Sequence, residues 1–105
     1  MGTALPVTRE DDVALAQRAA GGDRVAQRDL FHRVKLSVHH TLFRILGANR
    51  DLEDLLQDAL LEIVRALPSF RGESSLPRWC QTIATRTAYL AISKRKPPAV
   101  DLELV

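Results

Sequence analysis

Three histidines, a single cysteine and a run of acids are the side chains best suited to chemistry in this sequence. Their spacing steers most of them away from it. His32, His39 and His40 fall on one expected helix, but none stands four residues from another, as a helical metal pair requires. Cys80 has no partner for an internal disulfide. It lies among helix formers on an apolar stripe, where a thiol behaves as a small hydrophobe. Asp51, Glu53, Asp54 and Asp58 could serve acid–base work or hold a cation. Their spacing lacks the alternating oxygen ligands and central glycine of a calcium loop. No glycine-rich phosphate loop or activated-serine motif is present. The reading is therefore of a protein with no catalytic residue, metal or cofactor, and not an enzyme.

Two surfaces remain. Residues 51–62 carry Asp51, Glu53, Asp54, Asp58 and Glu62 with no base, whereas residues 65–96 carry seven bases against the single acid Glu73. An acidic surface followed at once by a basic one fits a protein that meets two different partners. At about 100° per helical residue, Asp51, Asp54, Gln57, Asp58, Leu61 and Arg65 share one face. Leu61 thus stands among carboxylates with no core to enter. An exposed leucine on an ordinary surface and an apolar anchor in a docking surface both account for it. Further on, Arg78, Gln81, Thr82, Thr85, Arg86 and Tyr89 share a polar face, followed by Lys94, Arg95 and Lys96. These residue types bind phosphates, read base edges and stack on bases. With almost no acid to neutralise the face, nucleic-acid contact is favoured over a merely solvated helix.

The elements that must position these residues are helices. In a chain of 105 residues, 46% hydrophobic but with only 5% aromatics, Leu, Ala, Val and Ile must build one core. An all-α bundle of about four helices is expected. The first spans about 11–20, with Val13, Leu15, Ala16 and Ala19 packing, and Gly21-Gly22 ends it. The second, about 23–46, has a stripe of Leu30, Phe31, Val34, Val38, Leu42 and Ile45. Leu36 and Phe43 lie opposite, so this helix is expected to be covered on two faces. Gly47 closes it, and Asn49 or Asp51 can cap the third helix.

That third helix, about 51–67, shows the cleanest periodicity, with Leu52, Leu55, Leu56, Ala59, Leu60, Ile63, Val64 and Leu67 making a wide apolar face. Its acids crowd the first turns, where the helix dipole favours them. Pro68 stops it, and residues 68–75 form a loop. Ser75 can cap the fourth helix, which tolerates Pro77 in its first turn. Its buried side is expected to hold Leu76, Trp79, Cys80, Ile83, Ala84, Leu90 and Ala91. No apolar run is long enough to span a membrane, and the first residues lack the features of a signal peptide or a myristoylation site. The expected location is the cytoplasm.

Taken in order, Asp51-Leu52-Glu53-Asp54-Leu55-Leu56-Gln57-Asp58, then Arg65-Ala66-Leu67-Pro68-Ser69-Phe70-Arg71-Gly72-Glu73-Ser74-Ser75, then Trp79 with Ile83-Ala84, closely resemble one family. It is the extracytoplasmic-function (ECF) group of sigma factors, in the segment called region 2. The resemblance covers roughly residues 12–96. It implies that the acidic helix docks on the clamp helices of the RNA polymerase β′ subunit, through Asp51, Asp54, Gln57, Asp58 and Leu61. It also implies that the loop carrying Ser69, Phe70, Arg71, Gly72, Glu73 and Ser74 holds a base flipped out of the −10 promoter element, on the single-stranded non-template strand. The following helix would contact adjoining DNA through Arg78, Thr82, Thr85, Arg86, Tyr89, Lys94, Arg95 and Lys96. An anti-sigma factor is a further implied partner.

The sequence departs from the family pattern in places. Members often have Asn where Arg86 stands, Asp where Leu90 stands and a larger aliphatic where Cys80 stands. The first departure bears on promoter preference and the second on an interhelical contact. The expected organisation is a flexible leader at 1–10, a region 2 helical domain at 11–96 and the start of a linker at 97–105, without the family's second domain, which binds the −35 element. A rival reading is a sigma mimic that binds polymerase or an anti-sigma factor without reading DNA. The basic helix and the intact Phe70-Arg71-Gly72-Glu73 favour the DNA-reading protein.

Overall fold

A computed structural model describes residues 8–95, and the chain from 8 to 95 folds as four α-helices: α1 (Arg9–Ala20), α2 (Arg24–Leu46), α3 (Leu52–Ala66) and α4 (Leu76–Arg95). A 3-10 turn (Leu67–Ser69) follows α3 directly. The all-α architecture agrees with the expectation.

Each helix starts where its cap dictates. The Asp11 N–H donates to Thr8 Oγ1 at 3.0 Å, and the Thr8 N–H donates to Asp11 Oδ2 at 3.1 Å. This reciprocal capping box starts α1 at Arg9, two residues earlier than periodicity implies. The same backbone and side-chain hydrogen bonds from Thr8 hold the Asp11 carboxyl below its usual range. At α2, Asp23 Oδ1 accepts from the N–H groups of Val25 and Ala26, at 3.0 and 3.1 Å. Before α3, Asn49 Oδ1 accepts the Asp51 N–H at 2.7 Å in the preceding turn, while Asp51, the N-cap residue, makes no side-chain cap hydrogen bond. Ser75 Oγ accepts the Arg78 N–H at 3.3 Å and starts α4.

The core sits around α2, which packs against every other helix. Ala26, Leu30, Val34, Val38 and Leu42 recur every fourth position and are fully covered. They meet Leu15, Ala16 and Ala19 of α1, Leu52, Leu56, Ala59 and Ile63 of α3, and Leu76, Cys80, Ile83, Ala84 and Ala88 of α4 in one cluster. Three partners therefore share one side of α2. The expectation of a second covered face is corrected: Leu36 and Phe43 are 65% and 49% exposed. The Phe43 ring stacks on His39 with centroids 6.4 Å apart.

Two further corrections follow from register. α3 ends at Ala66, and Leu67 reaches the core from the 3-10 turn rather than from the helix. The turn is closed by Ser69 Oγ donating to the Ala66 carbonyl at 2.7 Å and by the Phe70 N–H donating to the Leu67 carbonyl at 3.0 Å. On α4, Leu90 is 55% exposed instead of buried. The core row beneath α2 runs through Cys80, Ala84 and Ala88, whereas Leu90 continues the Ile83 row along the edge facing α3.

Among the described residues two polar side chains are buried, Thr41, whose hydroxyl donates to the Ser37 carbonyl of its own helix, and a carboxylate at a junction of three helices. Asp12 of α1 is 2% exposed. Its Oδ1 pairs with the Arg33 guanidinium of α2, and its Oδ2 accepts the N–H of Leu76, the first residue of α4, at 2.8 Å. A buried carboxylate is tolerated when both oxygens are engaged in this way. Among the described residues, no helix is long and apolar enough to cross a membrane.

Candidate nucleic-acid interface

The loop between the 3-10 turn and α4 reverses the chain at Gly72, whose φ of 76° lies in the region that L side chains avoid. Beside it Ser69, Phe70, Arg71, Glu73, Ser74 and Trp79 line a hollow of about 490 Å³. Its aromatic wall is a tilted Phe70–Trp79 pair with centroids 5.1 Å apart. Phe70 itself is only 7% exposed and belongs to the core cluster. Phe70 thus meets the hollow as part of its wall, with most of its ring packed into the core. Ser69, Arg71 and Glu73 are exposed at the rim, and Ser74 is half-buried. Trp79 is partly buried against the core, as its apolar-side position implies.

From the hollow, α4 runs on with Arg78, Thr82 and Tyr89 exposed and Gln81 and Thr85 half-buried. Thr85 Oγ1 donates to the Gln81 carbonyl at 2.8 Å, and Thr82 Oγ1 donates to the Arg78 carbonyl at 3.4 Å. With these protons used within the helix, the hydroxyl oxygens keep only acceptor capacity, a type suited to base amino groups. Arg78 supplies a charge that phosphate can use.

Arg86 and Lys94 lie elsewhere. They line a separate groove of about 640 Å³ between α3 and α4, opposite Asp51, Asp54, Asp58 and Glu62, with Leu55, Leu61, Ile83 and Leu90 between the charges. The structure thus divides the sequence-predicted basic set, with Arg78, Thr82, Thr85 and Tyr89 away from this groove and Arg86 and Lys94 on it. Arg95 ends the helix, and Lys96 lies outside the described residues. On α3, Asp54, Gln57 and Asp58 are exposed, Asp51 is half-buried, and Leu61 is 55% exposed. The acidic face with its apolar anchor is therefore presented to solvent as the helical spacing implies. Arg65 bridges to Glu62 at 2.7 Å on this same surface.

Sequence spacing missed three contributors. Spacing puts Leu90 on the buried side of α4, whereas it is a wall of the α3–α4 groove. Arg9 Nη1 donates to the Gly72 carbonyl at 3.2 Å, a link across the fold that no local pattern signals. Asp12 was legible in principle, since it shares a helical face with Leu15, Ala16 and Ala19. Cys80 is fully buried, as expected. Burial first, and then the nearby Asp12 charge, push its thiol up to about 12, with Arg33 partly opposing. Among the described residues no three His, Cys, Asp or Glu side chains converge as a metal site would require.

The sigma-70 region 2 family model matches residues 30–97 of this chain, a span that holds most of α2, all of α3 and α4 and the loop between them. The chain belongs to the sigma-70 region 2 family, as a region 2 domain of the ECF kind. Among its relatives, the ECF RNA polymerase sigma-E factor of Haemophilus influenzae is 37% identical over 93 residues, which cover 87% of this chain and 49% of that protein. The sigma-E factor of Escherichia coli K12 is 34% identical over 96 residues, covering 90% of this chain and 50% of that protein. That of Salmonella typhimurium LT2 is 33% identical over the same shares. The chain spans about half the length of the curated relatives it matches.

Proposed function

We propose that this chain is the promoter-melting part of an RNA polymerase sigma factor. It docks on the β′ clamp helices through Asp51, Asp54, Gln57, Asp58 and Leu61 of α3. It then holds one flipped base of the −10 element, on the non-template strand, against the loop of residues 69–74. Arg78, Thr82, Thr85 and Tyr89 follow the adjoining strand, while Lys94, Arg95 and Lys96 attract its backbone. Arg86 lies in the α3–α4 groove with Lys94. The observation that carries this reading is the aromatic-walled hollow beside the Gly72 turn, opening next to the polar face of α4. Flipping a base costs a few kcal/mol of unstacking, which such a hollow can offset with ring contacts and loop polar groups. The exposed leucines of the α3–α4 groove also offer an anti-sigma factor an apolar hold. Work of this kind takes place in the cytoplasm, where polymerase is.

The deciding experiment replaces residues 71–74 with a Gly-Ser linker and keeps Phe70, since its ring is part of the core. Binding is measured with RNA polymerase core present, on single strands that differ by one base. Preference among strands should disappear while most of the salt-dependent affinity survives. Unchanged preference would remove the loop from base reading. A wild-type chain that binds core and never discriminates among strands would be an interaction module instead.

A further inference from the structure

The recognition loop is held from behind by the first turns of α1, through residues that do not line the hollow. Arg9 Nη1 donates to the Gly72 carbonyl, and Val13 fills the space beside Gly72 so closely that a Cβ on the glycine would lie 2.6 Å from Val13 Cγ2. At the far end of the loop, Asp12 Oδ2 accepts the N–H of Leu76. Asp12 is itself fixed to α2 by its ion pair with Arg33. The middle and the C-terminal end of the base-reading segment therefore take their position from α1 and α2, and not only from α3 on its N-terminal side.

We propose that Arg9, Asp12 and Val13 are positioning residues for base choice: they hold the loop of residues 70–75 at the setting in which its hollow selects one base. The inference rests on the reading of that loop as the base-contacting element. Selectivity of this kind needs polar groups held within about 0.5 Å of their productive places. A loop that relaxes beyond that tolerance still attracts phosphate through charge, but it stops telling bases apart. Loss of the brace should therefore appear as lost discrimination rather than lost affinity.

The test uses the double variant Arg9→Ala with Val13→Ala and the single variants Arg9→Ala, Arg9→Lys and Asp12→Asn. Each is assayed with polymerase core on single strands that differ by one base. The ratio of preferred to non-preferred binding should fall about threefold or more in the double variant, with non-preferred binding kept within about twofold. Arg9→Lys should restore most of what Arg9→Ala loses, because a lysine can also donate to the Gly72 carbonyl. Asp12→Asn, which keeps an acceptor for Leu76 but loses the charge facing Arg33, should also lower the ratio. Arg9 is exposed, so its single variants report even if the double variant melts at the assay temperature. An unchanged ratio in folded variants, or an equal loss on every strand, overturns the proposal. If the Gly-Ser loop abolishes preference while the α1 variants keep it, only the brace is wrong. If the Gly-Ser loop leaves preference intact, the loop reading fails and the brace falls with it.

Discussion

Asp12 falls on the apolar row of α1 with Leu15, Ala16 and Ala19, and a carboxylate at such a place implies a buried partner. Its partners stand 21 and 64 positions away, so spacing announces the need and cannot name who meets it. Cys80 was easier, because a thiol on a continuous apolar stripe needs no partner to be understood. Its consequence is a pH dependence whose sign can be worked out. Below the ordinary value of 9.0, folded and unfolded chains both hold the thiol proton. Above it the unfolded chain releases a proton that the folded chain keeps until about 12. Stability should therefore fall as pH rises through that window, by at most ~1.4 kcal/mol per pH unit from this group. Urea melts of the wild type and Cys80→Ala across the window should show the difference between them shrinking as pH rises. A constant difference would mean that the thiol ionises freely in the folded chain.

At the scale of helices, α3 was readable because its apolar face is wide and its polar face holds one anomaly, Leu61. Asp54→Arg combined with Leu61→Ala should leave helicity and melting nearly unchanged, since both side chains are exposed. Binding to isolated β′ clamp helices should drop about tenfold, equivalent to about 1.4 kcal/mol. Intact binding, or a collapsed fold, would show that this face has been misassigned. The other helices were less legible for a geometric reason. Periodicity says which side chains share a row, but not how far along that row a neighbouring helix reaches. Leu90 extends the Ile83 row toward the groove, so its pattern looks buried although its side chain is half in water. Leu36 and Phe43 mark a second row on α2, and three partner helices were already committed to the first. The start of α1 was missed because its cap lies at Thr8, before any apolar repeat begins.

For the molecule as a whole, the separation of charge along the sequence became a separation in space, with acids on α3 facing Arg86 and Lys94 across a groove. Four helices and one core were recoverable from spacing alone. The long-range ties of the 70–75 loop to α1 were not, because they join residues far apart in the chain by single contacts. On the proposed function, Lys94, Arg95 and Lys96 contribute attraction without sequence preference. Replacing all three with Ala should weaken binding to every single strand by a similar factor. It should also reduce the slope of log affinity against log salt by about two. A loss confined to one strand would instead place base-specific contacts in this run.

On the proposed function, the close approach of Val13 to Gly72 also limits how promoter preference can change over evolutionary time. Position 72 has no room for a side chain, and its positive φ strains any residue but glycine. Phe70 is committed to the core. Variation in this loop is therefore channelled into the exposed Arg71 and Glu73, since Ser69 also closes the 3-10 turn and Ser74 is half-buried. A recognition surface built this way keeps its frame constant and concentrates heritable change in a few letters. Related chains can then drift toward separate promoter sets, each step altering what is read while leaving the helix bundle unchanged.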